Sequence, residues 1–303
     1  MDRLDALSFF IRVVEKRGVA AAGRDFGMSP ATASDRLAAL EAHYGATLLH
    51  RTTRSISLTD QGRVLYERAR GLLEEANDLE AQIKLGVERL SGRIRVSAPC
   101  DLGERRIVPV IDEFMQLHPE TAVELVLADG YIDIVGQGLD LAIRFGALKD
   151  SSLIVRKLGD NRRVICAAPS YIETYGAPQH PDDLVSHNCL IMQFGQIIDR
   201  EWSFMINGRL CDVSVSGNRI ANSGAQVRRW CLAGQGIALK SIWDVRDNLE
   251  SGALVELLKD FAPPSESALQ ILFPRAAYPV RRVRAFIEFL AERIGVTEKI
   301  PSD

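Results

Sequence analysis

Much that would mark an enzyme or a secreted protein is missing from this chain. Its 303 residues hold five cysteines, Cys100, Cys166, Cys189, Cys211 and Cys231, with no CxxC among them. Such scatter excludes a disulfide framework and argues against a structural zinc site. The five histidines are equally dispersed, so neither a metal nor a cofactor is expected. No apolar run approaches the ~18 residues of a membrane helix. The opening Met1-Asp2-Arg3-Leu4-Asp5 lacks the charged and apolar regions of a signal peptide. A cytoplasmic protein with no membrane partner is therefore expected. A nucleophile elbow, GxGxxG, a P-loop and HExxH are all absent. Gly234-Gln235-Gly236 is only a GxG at a helix-to-strand turn. An enzyme is not expected.

Acidic residues outnumber basic ones, for a net charge of −3, which by itself speaks against a nucleic-acid partner. The distribution reverses that. Residues 1–70 carry 11 Lys+Arg against 8 Asp+Glu, and residues 71–303 carry 26 against 32. The basic excess sits on the N-terminal head, where an electrostatic footprint on DNA would be needed. It is small, so affinity would rest on geometry and dimerisation as much as on charge.

The head carries a helix pair. Val19-Ala20-Ala21-Ala22-Gly23-Arg24-Asp25-Phe26 reads as a short helix, Gly27-Met28-Ser29 as a turn, and residues 30–44 as a second helix closed by Gly45. Ser29 is placed to cap the second helix, and Pro30 suits its first position. Ala33, Leu37, Leu40 and Tyr44 recur at i, i+4, i+7 and i+11, forming one apolar face. This is a helix-turn-helix, whose second helix fits the major groove of double-stranded DNA. Beyond it, residues 48–59 read as two short strands around a basic, hydroxyl-rich tip, a wing.

Ala38-Ala39-Leu40-Glu41, Leu48-Leu49-His50-Arg51 and Leu58-Thr59-Asp60-Gln61-Gly62 make the chain resemble LysR-type transcriptional regulators, and the resemblance runs through its whole length. It implies an α/β protein with an all-α-type winged helix-turn-helix head, a long linker helix, and a two-lobed effector domain similar to periplasmic solute-binding proteins. The expected boundaries are 1–59 for the head, 60–90 for linker and hinge, 91–163 plus 268–303 for the first lobe, and 164–267 for the second. The family usually forms a dimer of dimers, so a homodimer or homotetramer is implied, with RNA polymerase as a further partner if the protein activates.

On the recognition helix, Ala31, Asp35, Ala38 and Ala42 oppose the apolar face, with Ser34 on one flank and Thr32 and Arg36 on the other. The candidate DNA contacts are Ser29, Pro30, Ala31, Thr32, Ser34, Asp35 and Arg36, joined at the wing by Arg51, Thr52, Thr53 and Arg54. Guanidinium forks suit phosphate oxygens and threonine hydroxyls add to them, although Arg51 and Arg54 also read as an ordinary solvated pair. Asp35 stands where the family frequently has Arg or another polar residue. Two readings stay open. Asp35 accepts from a cytosine amino group, or it pairs with Arg36 or Arg24 on the helix surface. The first helix of the pair departs from the family too: Val19-Ala20 replaces a capping Ser-Phe, and Gly23 lies in its interior. Each change costs roughly 1 kcal/mol, so a marginal head is expected, stabilised by Gly23→Ala unless Gly23 serves close packing.

From Thr59 a long helix is expected to about residue 85, capped by Thr59 or Asp60. Leu65, Ala69, Leu72, Ala76, Leu79 and Ile83 step by 4, 3, 4, 3, 4, a heptad seam. It reads either as a dimer contact or as an amphipathic face lying on its own domain. The acidic flanks Glu74, Glu75, Asp78 and Glu80 favour the dimer.

The remainder alternates. Strands are expected over 93–98, 122–128, 139–145, 164–168, 189–194, 202–206, 211–216, 237–240 and 269–273. Helices are expected over 105–117, 132–137, 226–232, 242–249 and 281–294. Such alternation implies mostly parallel sheets, with ligands beyond the strands' carboxyl ends. The resemblance places Pro99, Cys100, Asp101 and Leu102 on the inducer cleft. Gly130, Phe145, Phe194, Asn222 and Ser223 lie at comparable strand ends, although plain loop residues fit each equally well. Asn222-Ser223-Gly224 suggests free N–H groups at a helix start, suited to a carboxylate. Cys100 has Arg105 and Arg106 nearby, which would lower a reactive thiol's pKa, but Asp101 and Glu104 oppose them, so a buried or cleft-lining cysteine is the commoner reading. The segment 138–146, followed by Asp150-Ser151-Ser152-Leu153, resembles one branch of the family that shares no single ligand. A transport-type solute-binding protein is the other alternative, and the DNA-binding head argues against it.

Overall fold

The computed structural model describes residues 2–51, 56–85, 89–146, 153–262, 267–275 and 280–295, with side chains omitted at a few of them. The wing-tip candidates Thr52, Thr53 and Arg54, and the side chain of Arg51, lie outside the described residues.

The head is built from α1 (Arg3–Glu15), α2 (Val19–Asp25), α3 (Pro30–Tyr44), β1 (Leu49–Arg51) and β2 (Ile56–Leu58). The Asp2 carboxylate accepts the Leu4 N–H to open α1, and Ser29 Oγ accepts the Thr32 N–H to open α3. Gly18 opens α2 with no side-chain cap. Gly45 closes α3 in the left-handed conformation that favours glycine. Phe9, Phe10, Ala33, Leu37 and Leu40 form the buried centre of the head. Tyr44 departs from the expected face. It is 46% exposed, one turn beyond the packed segment, with its ring edge-on to His43.

Helix α4 (Asp60–Leu85) leaves the wing. Thr59 Oγ1 accepts the Gly62 N–H at 2.9 Å and donates to the Thr47 carbonyl at 2.7 Å. Of the expected seam, Ala69 is 3% exposed within the head's own core, and Leu65 packs against that core. Leu72, Leu79 and Ile83 are 50%, 59% and 78% exposed. The two readings therefore divide the helix. Its first turns lie on their own domain, because α1 covers them, and only the later turns offer an unpartnered apolar face.

The first lobe follows as β3 (Gly92–Ala98), α5 (Cys100–Leu102), a π-turn (Gly103–Ile107), α6 (Val108–Leu117), β4 (Thr121–Leu127), β5 (Leu141–Phe145) and β6 (Leu153–Asn161). The second holds β7 (Arg163–Ala167), α7 (Pro169–Tyr175), β8 (Cys189–Phe194), β9 (Ile197–Ile198), β10 (Glu201–Ile206), β11 (Arg209–Ser214), β12 (Arg219–Ala221), α8 (Gly224–Leu232), β13 (Ile237–Ser241), α9 (Ile242–Glu250) and β14 (Val255–Leu257). The chain then returns as β15 (Ser267–Pro274) and α10 (Arg281–Gly295).

The sheets run β4-β3-β5-β15-β6 and β12-β8-β13-β7-β14. Both are mixed rather than mostly parallel. In the first, β3 pairs parallel with β4 and β5, while β15 pairs antiparallel with β5 and β6. The returning strand enters from the opposite lobe, so it meets its neighbours head to tail. Strand β6 was not expected from the sequence: it is an edge strand of nine residues whose Arg156, Lys157 and Asp160 break any apolar alternation. The helix expected over 132–137 is instead a run of turns. Asp133 Oδ1 accepts the Gly136 N–H at 2.8 Å, a local turn that outcompetes the helix.

Candidate DNA-reading face and interlobe cleft

Ser29, Pro30, Ala31, Thr32, Ser34 and Asp35 are all on the outer side of α3 and exposed. Ser29 Oγ and Thr32 Oγ1 share a 2.8 Å hydrogen bond, so both hydroxyls stand together at the positive end of the helix, where a phosphate oxygen is favoured. Among the described residues Asp35 has no ion pair, and the anticipated link to Arg36 or Arg24 does not form.

Arg36 itself is corrected. Its guanidinium carbon lies 5.6 Å from the Phe9 ring centre and 5.9 Å from that of Phe26, and Nη2 is 3.9 Å from Asp5. Its side chain is 20% exposed. It stacks on aromatic faces that tie α1 and the turn to α3, and is not free to face a groove.

Between the lobes lies a cavity of about 550 Å³, within the usual range for small-molecule sites. Pro99, Asp101, Gly130, Phe145 and Phe194 line it as expected. Cys100, Leu102, Asn222 and Ser223 do not. Leu102 is 1% exposed, turned by the helix into the core. Ser223 is consumed as a cap, its Oγ accepting the Gln226 N–H at 3.3 Å. Asn222 is exposed outside the cavity. The N–H group expected to be free at Gly224 is taken by Asp129, whose Oδ2 accepts it at 2.7 Å while Oδ1 accepts the Cys100 N–H at 2.8 Å. One carboxylate of the first lobe thus bonds the openings of α5 and α8, in different lobes.

Sequence reasoning missed the polar floor. Arg228 Nε donates to both oxygens of Asp101 at 2.9 Å. Lys240 Nζ lies 3.4 Å from Asp101, 2.8 Å from Asp244, and donates to the Gly224 carbonyl at 2.9 Å. Burial opposes the Lys240 charge, but Asp244 and Asp101 hold its pKa above the ordinary lysine value. Burial raises the pKa of Asp244, whose Oδ1 has no partner among the described residues. Arg144 donates to the Ala128 carbonyl and, at 2.9 Å, to Ser97 Oγ, and burial lowers its pKa. The available signal was a lysine inside the apolar run Ile237-Ala238-Leu239-Lys240: a charge in a buried strand must be paired.

The thiol of Cys100 is pushed up to about 11, by burial first and then by Asp129. Arg105 and Arg106 are held instead by Asp247 at 2.7 and 2.5 Å. This is the reverse of a low-pKa sensor thiol. Among the described residues no group of three His, Cys, Asp or Glu is placed to hold a metal, and no helix is long and apolar enough to cross a membrane.

Residues 4–63 match the family described as bacterial regulatory helix-turn-helix protein, lysR family, and residues 88–295 match the LysR substrate binding domain. The chain is 33% identical over 289 residues to the HTH-type transcriptional regulator DmlR of Escherichia coli (strain K12), covering 95% of this chain and 94% of that protein. Among solved structures, the full-length Vibrio cholerae virulence activator AphB is 30% identical with a TM-score of 0.60, covering 96% of this chain and 99% of that one. CrgA from Neisseria meningitidis, a LysR-type transcriptional regulator, is 28% identical with a TM-score of 0.64, covering 96% and 98%.

Proposed function

Because this chain belongs to the LysR family of bacterial helix-turn-helix transcriptional regulators, we propose that it is a sequence-specific DNA-binding regulator modulated by a small-molecule inducer in the interlobe cleft. The observation that carries this reading is the cleft itself. Residues of both sheets line it, and Asp129–Gly224 and Asp101–Arg228 join one lobe to the other across its floor. A ligand there changes the balance between open and closed lobes only through unequal affinity for the two.

In this reading α3 enters the major groove, Ser29 and Thr32 meet a phosphate, Ala31, Ser34 and Asp35 face base edges, and the wing residues Arg51, Thr52, Thr53 and Arg54 add backbone contacts. Leu72, Ala76, Leu79 and Ile83 pair two copies along α4, and dimers assemble into a tetramer in the cytoplasm. RNA polymerase is the partner if the regulator activates. The protein acts by binding rather than by catalysis.

The test is fluorescence-anisotropy titration of the full chain with DNA from just upstream of its own gene, against a scrambled duplex, at several salt concentrations. Saturable, salt-weakened binding that prefers the upstream DNA supports the reading. Absence of binding to any duplex in a genome-wide site selection overturns it. Asp35→Ala, carried through the same selection, shifts the preferred site if Asp35 reads a base.

A further inference from the structure

A second cavity lies away from the cleft, where the head meets the first lobe. It measures about 240 Å³, and among the described residues its lining includes Arg12, Arg70, Arg93 and Arg95 together with the carboxylates Glu15 and Asp140. The four guanidinium groups come from three separate parts of the chain: α1, α4 and β3. Their present pairings form an open, branched chain. Asp140 Oδ1 accepts from Arg70 at 3.0 Å, and its Oδ2 accepts the Arg95 N–H at 2.8 Å. Arg95 Nη1 lies 3.7 Å from Glu15, and its Nε donates to Glu124 at 3.0 Å. Arg93 reaches the same Glu124 at 3.5 Å, and Arg12 bonds Asp25 at 2.5 Å and Glu15 at 3.2 Å.

The Arg70–Asp140 pair is mostly buried and has a structural role. Arg95, 26% exposed, is held by Glu15 and Glu124, whereas Arg12 and Arg93 are less committed. Arg93 is 65% exposed and Arg12 is 41% exposed. Ion pairs at such exposure contribute little and exchange readily, so both side chains are available to a better partner. Behind the cavity Arg282 has its pKa lowered to about 10, by burial and then by Arg70. A compact dianion with several acceptor oxygens is the group that satisfies forked guanidinium donors arriving from different directions.

We propose that this junction is a second ligand site, taking a phosphoryl dianion, either inorganic phosphate or a phosphomonoester, between Arg12 of the head and Arg93 and Arg95 of the first lobe. Bound there, the anion clamps the head onto the effector domain. The site is independent of the cleft and of whatever occupies it.

Equilibrium dialysis of the full chain against labelled inorganic phosphate, with potassium chloride matching ionic strength, tests it. One phosphate binds per chain at this site. Arg12→Gln and Arg93→Gln each weaken it about tenfold, the loss of one charge-assisted contact. Arg209→Gln, on the far lobe, leaves it unchanged. Circular dichroism confirms that each variant is folded. Competition by glycerol 3-phosphate separates the sources: tighter binding than phosphate assigns a phosphorylated metabolite, weaker binding assigns the free ion. Absence of binding, or binding indifferent to Arg93→Gln, overturns the site. Sensitivity to Arg93→Gln but not to Arg12→Gln overturns the clamp.

Discussion

Asp129 of the first lobe accepts the backbone N–H of Gly224 in the second at 2.7 Å. The nine-residue helix that opens at Gly224 therefore has its positive end satisfied by the protein's own carboxylate, and that bond crosses the cleft. Asp129→Ala leaves this N–H and that of Cys100 without acceptors, each costing about 1–3 kcal/mol where water does not replace the carboxylate. Urea denaturation should show the loss, and small-angle scattering should show lobes further apart. Unchanged stability together with unchanged dimensions would remove Asp129 as the tie between lobes.

Cys100 should resist alkylation. With its pKa pushed up to about 11, only ~10⁻³ of the thiol is ionised at pH 8, and the iodoacetamide rate should climb through the alkaline range. Asp129→Asn removes one of the causes and should accelerate labelling. A fast reaction at neutral pH in the unaltered protein would contradict the burial that sets this value.

Gly23 tests packing against propensity. Helix propensity alone says that alanine at this interior position gains roughly 1 kcal/mol. A Cβ there would stand 2.8 Å from the Ala33 Cβ, closer than two carbons tolerate, because α2 crosses α3 at this point. Gly23→Ala should therefore lower the head's melting temperature, with a cost of about 1–3 kcal/mol. Adding Ala33→Gly should recover part of it. A rise in melting temperature for the single variant would show that the helices separate at little cost.

Lys240 is one cation shared by two buried carboxylates. Lys240→Met leaves Asp101 with Arg228 but strands Asp244, and should destabilise the second lobe by about 3–5 kcal/mol. The pH dependence has a definite sign. The pKa of Lys240 is raised in the folded state, so its contribution is fully present below the unfolded lysine value and is lost as pH rises through the folded one. The pKa of Asp244 is also raised, and more so once its cation is gone. Acidification toward that value should partly restore the variant, and calorimetry from pH 8 down to pH 5 follows it. A deficit that does not shrink with acid would mean that Asp244 has found another partner.

What the chain determines locally was legible in its letters. Ser29, Pro30 and Gly45 bound α3 by side-chain and backbone preferences that act within one turn. The alternation of apolar runs located most strands, and the five residues Pro99, Asp101, Gly130, Phe145 and Phe194 reached the cleft because strand ends face it. Tertiary structure decided the rest. Arg36 was drawn under the head because Phe9 and Phe26 offer it their faces. The seam of α4 was split because α1 covers its first turns. The cleft's floor joins Asp101, Asp129, Lys240 and Asp244 from separate segments, and the junction joins Arg12 to Arg93 and Arg95. Each depends on groups far apart in sequence meeting where water is scarce, and periodicity records only which face of an element is apolar, not what arrives against it.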